Sequence, residues 1–86
     1  MKRAEILDEA KQMVTKDRAA DHGDLEDNFN TIAAYWSTHL GVDINAVDVG
    51  LMMTLLKCAR AKSNSAHMDN YRDGAGYMAC AAECAE

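Results

Sequence analysis

A chain of 86 residues with 49% hydrophobic residues and no proline is sized for one small domain whose core buries only part of its surface. The formal net charge of −5 disfavours nonspecific binding to nucleic acid. No segment approaches the roughly 20 apolar residues that span a bilayer, and the first residues lack the apolar run of a signal peptide. We therefore expect a cytoplasmic protein that does not contact membranes.

Hydrophobic residues recur at helical spacing from the start of the chain and predict a helix over residues 2–16. A second helix is predicted over residues 25–40. Asp24 is its expected N-cap, since an aspartate carboxylate accepts the free N–H groups of a first turn. Gly41 is expected to end this helix because glycine readily adopts the left-handed conformation found there.

The third predicted helix, over residues 46–62, is apolar around most of its circumference. Asn45 and Asp48 have the spacing of a capping box at its start. Such a helix belongs in the middle of a structure or at an interface between copies. One of its faces carries more apolar surface than a single small bundle can hide, so we expect a homodimer or higher oligomer; the residues of this face are Val47, Leu51 and Leu55.

The fourth predicted helix, over residues 69–85, contains Gly74 and Gly76, each of which costs about 1 kcal/mol of helix stability relative to alanine. Their presence predicts close approach of another backbone or of a ligand. Together the four segments predict an all-α fold with a single helical domain over residues 1–86, a small four-helix bundle completed by dimerisation.

Two short polar segments interrupt this helical pattern, and residues 17–24 form the first. Arg18 and His22 are placed to hold an anion together with the backbone amides at the start of the second helix. The alternative is a tight turn followed by an N-cap. Asn28, at the edge of the apolar face, suits either a ligand contact or a buried structural hydrogen bond.

Residues 69–73 form the second polar segment, in which Asp69 and Asp73 lie one helical turn apart on one face. Such a pair can share a divalent metal ion, especially if Asp24 or Asp27 supplies a third carboxylate. The alternative is structural, with Asp69 as a helix cap and Asp73 as the partner of an arginine.

Basic residues gather in the last turns of the third helix at Lys57, Arg60 and Lys62. Cations at this position complement the negative end of the helix. With Arg18 and Arg72 they would instead form a phosphate-binding cluster.

Three cysteines lack the spacing of a disulfide framework or of a zinc finger. Cys80 and Cys84 lie one turn apart, whereas no histidine is spaced to complete a metal site with them. We interpret Cys80 and Cys84 as small thiols of a core or an interface, and the three cysteines together as typical of a reduced protein.

The residues, taken together, resemble a family of short phage and prophage proteins classed as a domain of unknown function, DUF6378. The resemblance covers nearly the whole chain and rests on the order of its landmarks, which are Ile6-Leu7-Asp8-Glu9-Ala10, Asp17-Arg18 with His22-Gly23-Asp24, Asn28-Phe29 with Ile32-Ala33 and Trp36, Asp48-Val49, Met52-Met53, Leu55-Leu56-Lys57 with Ala59-Arg60, and Asp69-Asn70 with Asp73 and Gly76-Tyr77. It implies a phage-encoded protein in the bacterial cytoplasm.

A looser similarity links the chain to the all-helical nucleoside triphosphate pyrophosphohydrolases of the MazG type. Asp69 and Asp73 before Gly76-Tyr77 look like one of the acidic pairs with which those enzymes hold magnesium. The other pair is missing, because Lys57 and Arg60 stand where glutamates are expected. That departure puts hydrolysis in doubt and leaves phosphate binding open.

The resulting functional prediction is an accessory protein that binds a nucleotide or another phosphorylated small molecule and requires no cofactor. Its predicted ligand-binding residues are Arg18, His22, Asp24, Asn28, Trp36, Lys57, Arg60, Arg72 and Tyr77, with the two aromatic rings packing against a base. One alternative is a pyrophosphohydrolase that uses Mg²⁺ on Asp24, Asp27, Asp69 and Asp73. The other is an interaction module that inhibits a host defence complex.

Overall fold

The computed structural model describes residues 1–17 and 24–86, with the backbone alone for Asp17. Within them the chain forms four α-helices and one π-helical turn and has no β-strand, which confirms the predicted small all-α fold. The elements are α1 Arg3–Gln12, the π-helical turn Met13–Asp17, α2 Leu25–Leu40, α3 Ala46–Ser63 and α4 Met68–Ala85. The dimer stays a prediction.

The ends of α2 are set by its own sequence. The Asp24 carboxylate accepts hydrogen bonds from the backbone N–H groups of Glu26 at 2.8 Å and Asp27 at 3.3 Å. At the other end, Gly41 has a φ of 71°, in the left-handed region. Both predicted signals are therefore confirmed.

The start of α3 is held in the same local way. The Asp48 N–H donates to the Asn45 side chain at 2.9 Å, and the Asn45 N–H donates to the Asp48 carboxylate at 3.0 Å, which confirms the capping box. In the preceding loop, the Ser37 hydroxyl accepts the Ile44 N–H at 2.8 Å and donates to the Ile44 carbonyl at 3.1 Å. These bonds tie the loop to the last turns of α2.

The first helix differs from the predicted range of 2–16, because its α-helical part ends at Gln12 and continues as the wider π-helical turn. This turn packs on Gly76 of α4. A Cβ atom there would lie 2.6 Å from Cε of Met13 and 3.0 Å from Cγ1 of Val14. The Thr15 hydroxyl also donates to the Lys11 carbonyl at 2.6 Å, a bond that competes with regular helix geometry.

The helix pair α3–α4 is antiparallel and unusually close at one point. A Cβ atom on Gly50 would lie 2.7 Å from Cβ and 3.0 Å from Cα of Ala81, so only glycine fits there. The close backbone approach predicted at Gly74 and Gly76 occurs here instead. Gly74 has only Lys57 Cβ nearby, at an ordinary 3.7 Å, and Gly76 meets side chains.

The hydrophobic core lies where α2 and α3 meet the second half of α4. Its buried members are Phe29, Ala33, Val49 and Cys80. Half-buried side chains from the π-helical turn, α2, α3 and α4 surround it, including Val14, Ile32, Trp36, Met53 and Tyr77. No helix within the described ranges is long and apolar enough to cross a membrane.

Candidate functional site

An ion-pair cluster joins α3 to the first turns of α4. Lys57 Nζ lies 3.0 Å from Oδ2 of Asp73, and the Arg72 Nε–H donates to Oδ1 of the same carboxylate at 3.0 Å. The side chains of Lys57 and Asp73 are only 13% and 15% exposed. The second polar segment therefore turns one of its aspartates toward two cations, and the predicted arginine partner of Asp73 is confirmed.

Arg72 extends the cluster toward the surface. Its Nη1 atom lies 3.3 Å from Oδ1 of Asp69 and 4.0 Å from Oε1 of Glu9 of α1. Glu9 of α1 lies near Arg72, and Val14 of the π-helical turn lies near Gly76. Since the two contacts follow the same order in both segments, α1 runs parallel to α4. The cluster thus ties three helices together, and its three carboxylates exceed its two cations by one formal charge.

Burial is the largest influence on the pKa of Asp73 and by itself would raise it. The hydrogen bonds and positive charges of Lys57 and Arg72 outweigh burial, so the pKa lies below its usual value. Burial is also the largest influence on the pKa of Arg72 and by itself would lower it. The hydrogen bond and the negative charge of Asp73 outweigh burial, so the pKa of Arg72 is raised. Both groups are held ionised, each by the other.

A groove of about 390 Å³ opens beside this cluster between α3 and α4. We call it the α3–α4 groove. Its walls are almost entirely apolar apart from the polar groups of a few side chains. It is lined by Thr54, Lys57, Cys58, Ala61, Asn70, Tyr71, Gly74, Ala75 and Met78.

Asn70 is the buried polar residue of this groove. The residue is 6% exposed, and none of the described residues forms a hydrogen bond with its side-chain amide. A buried amide without a partner costs about 1–3 kcal/mol, so such groups are rare in native proteins and call for a specific explanation. Nearby, the Tyr71 hydroxyl donates to the Ser65 carbonyl at 2.8 Å and fixes the turn between the two helices.

The predicted phosphate-binding cations are only partly brought together. Lys57 and Arg72 converge, but both converge on Asp73. Arg60 is exposed on α3 and does not line the α3–α4 groove. Arg18 and His22 lie outside the described residues.

The described end of the first polar segment lies far from the second. The pKa of the Cys84 thiol is raised mainly by burial, and the negative charges of Glu26, Glu83 and Asp24 raise it further. The start of α2 is therefore beside the end of α4. Asp73 and Cys84 are separated by about 16 Å along the helix axis, so the start of α2 and the ion-pair cluster lie near opposite halves of α4.

Among the described residues, the carboxylates predicted to bind magnesium are not gathered around one point, and the metal site stays a prediction. Asp24 caps α2, and Asp69 and Asp73 both face Arg72. No group of three or more acidic, histidine or cysteine side chains within residues 1–16 and 24–86 is placed to hold a metal ion. Asp69 is not the helix cap either, because α4 begins at Met68 with His67 as its N-cap.

The two aromatic residues that were predicted to pack against a base lie against the hydrophobic core. Trp36 and Tyr77 lie half-buried against the hydrophobic core, and neither lines the α3–α4 groove. Asn28 is half-buried in α2, away from the groove. Of the cysteines, Cys80 is in the core and Cys84 beside it, as expected, while Cys58 is exposed at the groove.

Sequence reasoning missed Asn70 as a site residue. The available signal was its position seven residues before Tyr77, which puts a polar side chain on the buried stripe of α4. Glu9 was also missed as a member of the ion-pair cluster. Its approach to Arg72 depends on the parallel packing of α1 against α4, which no local pattern predicts.

These features define a small all-α protein in which an apolar groove lies beside an ion-pair cluster whose cations face carboxylates of the same chain. The chain belongs to the family described as a domain of unknown function, DUF6378, which matches residues 5–85. The predicted family is therefore confirmed. The looser similarity to MazG-type enzymes stays a prediction.

Two curated relatives come from mycobacteriophages. The Gene 55 protein of Mycobacterium phage D29 is 37% identical over 75 residues, covering 87% of this chain and 50% of the relative. The Gene 55 protein of Mycobacterium phage L5 is 41% identical over 73 residues, covering 84% and 47%. The chain thus spans about half the length of these curated relatives. No solved structure matches it.

Proposed function

We propose that the protein binds a nucleotide or a similar phosphorylated small molecule in the α3–α4 groove. The proposal is carried by Asn70, whose buried amide lies at the groove without a hydrogen-bond partner among the described residues. An asparagine amide offers one acceptor and two donors, which complement the polar edge of a heterocyclic base. Such binding would serve to modulate nucleotide pools or to sequester a signalling nucleotide of the host.

The walls of the groove support a ligand with a flat apolar body. Lining atoms that are almost all apolar, with a few convergent polar groups, are typical of small-molecule sites. Tyr71 and Met78 flank the groove and can pack against the faces of a ring.

The charges limit how much phosphate this groove accepts. Lys57 is the cation that lines it, and its ammonium group already faces Asp73. Because the ion-pair cluster has one more carboxylate than cations, several phosphate charges would be repelled there. We therefore expect a nucleoside monophosphate to bind at least as tightly as the triphosphate.

Isothermal titration calorimetry against a panel of nucleosides, nucleoside mono-, di- and triphosphates and inorganic phosphate tests the proposal. We expect at least one base-containing ligand to bind and inorganic phosphate alone to give no signal. Replacing Asn70 by alanine removes the amide, and its loss should weaken binding about tenfold or more, as expected for lost hydrogen bonds to a base.

Two further variants make the test specific. Gly74→Ala places a methyl group at the groove and should also weaken binding, although Gly74 has room for it in the fold. Asn30→Ala, at an exposed position of α2, is the matched control and should bind like the unmodified chain. Absence of heat with every ligand, or equal affinity of Asn70→Ala and Asn30→Ala, would contradict the proposal.

The magnesium-dependent pyrophosphohydrolase has no comparable support. Its predicted carboxylates are divided between the start of α2 and the ion-pair cluster, where cations already face them. We therefore do not carry it forward as a second function.

A further inference from the structure

We infer that a second copy of this chain covers an open apolar face formed by α1, α3 and α4. This face, which we call the open face, consists of Leu7, Leu51, Leu55, Cys58, Tyr71 and Met78. The inference rests on the surface of the molecule and not on the proposed ligand.

The open face is continuous across three helices. Cys58, Tyr71 and Met78 line the α3–α4 groove together. Leu51 and Leu55 precede Cys58 on the same stripe of α3, at helical spacings of seven and three residues.

A second groove continues the face on the other side of α4. It lies between α1 and α4, has Leu7 and Lys11 along one wall, and shares Ala75 with the first groove. The open face therefore extends from α1 over α4 to α3.

The side chains of the open face are too exposed for a surface that stays in water. Leu55 is 67%, Leu7 60% and Met78 48% exposed. Single exposed apolar residues are normal, but a contiguous patch across three helices marks an interaction site.

The exposed area of the chain is larger than that of a compact monomer. The chain exposes 5856 Å², whereas a compact monomer of its mass exposes about 5,000 Å². An interface of standard size would cover about 800 Å² of this surface on each partner. The radius of gyration of 13.3 Å likewise exceeds the approximately 12 Å of a compact chain of this length.

The interior of one copy is correspondingly small. Among the described residues, Phe29 and Val49 are the large side chains that are fully buried. A chain with so little interior gains stability by pairing, and a face that is apolar throughout can pair with itself about a two-fold axis.

The charge of the face favours a second copy over a basic partner. Among the described residues, only Lys11 and Lys57 bring charges to the two grooves, and Lys57 is neutralised by Asp73. An apolar contact between two chains of net charge −5 should tighten as salt screens their repulsion. An acidic surface that binds a basic protein would respond to salt in the opposite direction.

Analytical ultracentrifugation of the chain without added ligand, across a concentration series, tests the inference. We expect a dimer at micromolar concentration that tightens with salt. Leu55→Lys should weaken dimerisation about a hundredfold or more, because a two-fold dimer loses the buried leucine side chain of both copies. Leu40→Lys is the matched control, because Leu40 is 54% exposed on α2, away from the open face, and it should leave the dimer unchanged.

Alkylation of Cys58 by iodoacetamide, followed by mass spectrometry, locates the interface independently. Its rate should fall as protein concentration rises and recover in Leu55→Lys, whose helical content is checked by circular dichroism. A monomer at all concentrations overturns the inference, as does a dimer that Leu40→Lys disrupts and Leu55→Lys does not. A dimer that salt dissociates, or a monomer that captures a host protein through the open face, also overturns it.

The two proposals fail separately. Cys58, Tyr71 and Met78 belong to both the α3–α4 groove and the open face. A second copy would therefore cover the groove and supply part of its wall. Because the oligomer is measured without ligand, a monomer that still binds a nucleotide would reject the dimer alone. A dimer that binds no ligand would reject the proposed function alone.

Discussion

The contact between α3 and α4 and the start of α2 are both built around aspartates, yet they are stabilised by different means. At the start of α2, Asp24 bonds to backbone N–H groups two and three residues away. In the α3–α4 contact, Asp73 pairs with Lys57, which lies sixteen positions earlier in the chain and on another helix. One arrangement is complete within a single turn, and the other exists only after the helices have packed.

The difference shows which polar residues depend on the whole fold. A local cap is largely exposed and replaceable by water, so its loss affects one helix end. A half-buried ion pair loses water on both sides, and removing one partner leaves the other charge poorly solvated. We therefore expect substitutions in the α3–α4 contact to destabilise the protein more than substitutions in the cap.

The largest effect is expected for Asp73→Asn. It leaves the ammonium group of Lys57 and the guanidinium of Arg72 without their shared carboxylate and should lower the free energy of unfolding by about 2–4 kcal/mol. Urea denaturation measures this change. Asp8→Asn, an exposed position of α1, is the control and should change little; equal stability of the two variants would refute the importance of the pair.

The same pair predicts a dependence on pH. The folded-state pKa of Asp73 is lowered, so its ionised form stabilises the protein above the unfolded-state value and this contribution is lost as the pH falls through the folded-state value. The stability difference between the unmodified chain and Asp73→Asn should be complete above about pH 5 and shrink toward zero below it. A difference that grows in acid would contradict the assignment.

The backbone contact of the same helix pair gives the next largest effect. Gly50→Ala pushes a methyl group into Ala81, which should cost about 1–3 kcal/mol and exceed the roughly 1 kcal/mol gained from helix propensity. Gly74→Ala has the same gain in helix propensity, and its methyl group would lie at an ordinary 3.7 Å from Lys57 Cβ, so it should raise the melting temperature slightly. Thermal unfolding of both variants tests this, and a stabilised Gly50→Ala would refute the close contact.

The cap of α2 should contribute less. Asp24→Ala removes the acceptor for two N–H groups and is expected to cost about 1 kcal/mol, independently of the α3–α4 contact. The double variant with Asp73→Asn sharpens the comparison, since sites this far apart should give additive changes in unfolding free energy. Strong coupling between the two would show that the first and second polar segments communicate.

Local signals carried most of what the sequence predicted. The caps at Asp24 and Asn45 and the helix end at Gly41 depend on neighbours within four residues, so their chemistry is visible in the sequence itself. The all-α fold follows from the periodicity between them. The π-helical turn after Gln12 was missed because it packs against Gly76, far along the chain.

The candidate site depends on contacts that periodicity does not contain. Lys57 was predicted to bind phosphate, and its pairing with Asp73 becomes visible only when α3 and α4 pack antiparallel. The same packing selects Gly50 for the close approach and leaves Asn70 buried at a groove. One helical pattern is compatible with several such arrangements, so the sequence predicted the types of residue in the site and not their partners.

The smallest effect is expected for Asp69→Asn, at the exposed edge of the ion-pair cluster. Asp69 is one turn from Asp73 and faces the same arginine at 3.3 Å, but its side chain is 54% exposed, so water screens the pair. We expect a loss of about 0.5 kcal/mol or less by urea denaturation, decreasing further with added salt. A loss as large as that of Asp73→Asn would mean that exposure does not distinguish these two aspartates and that the cluster acts as one unit.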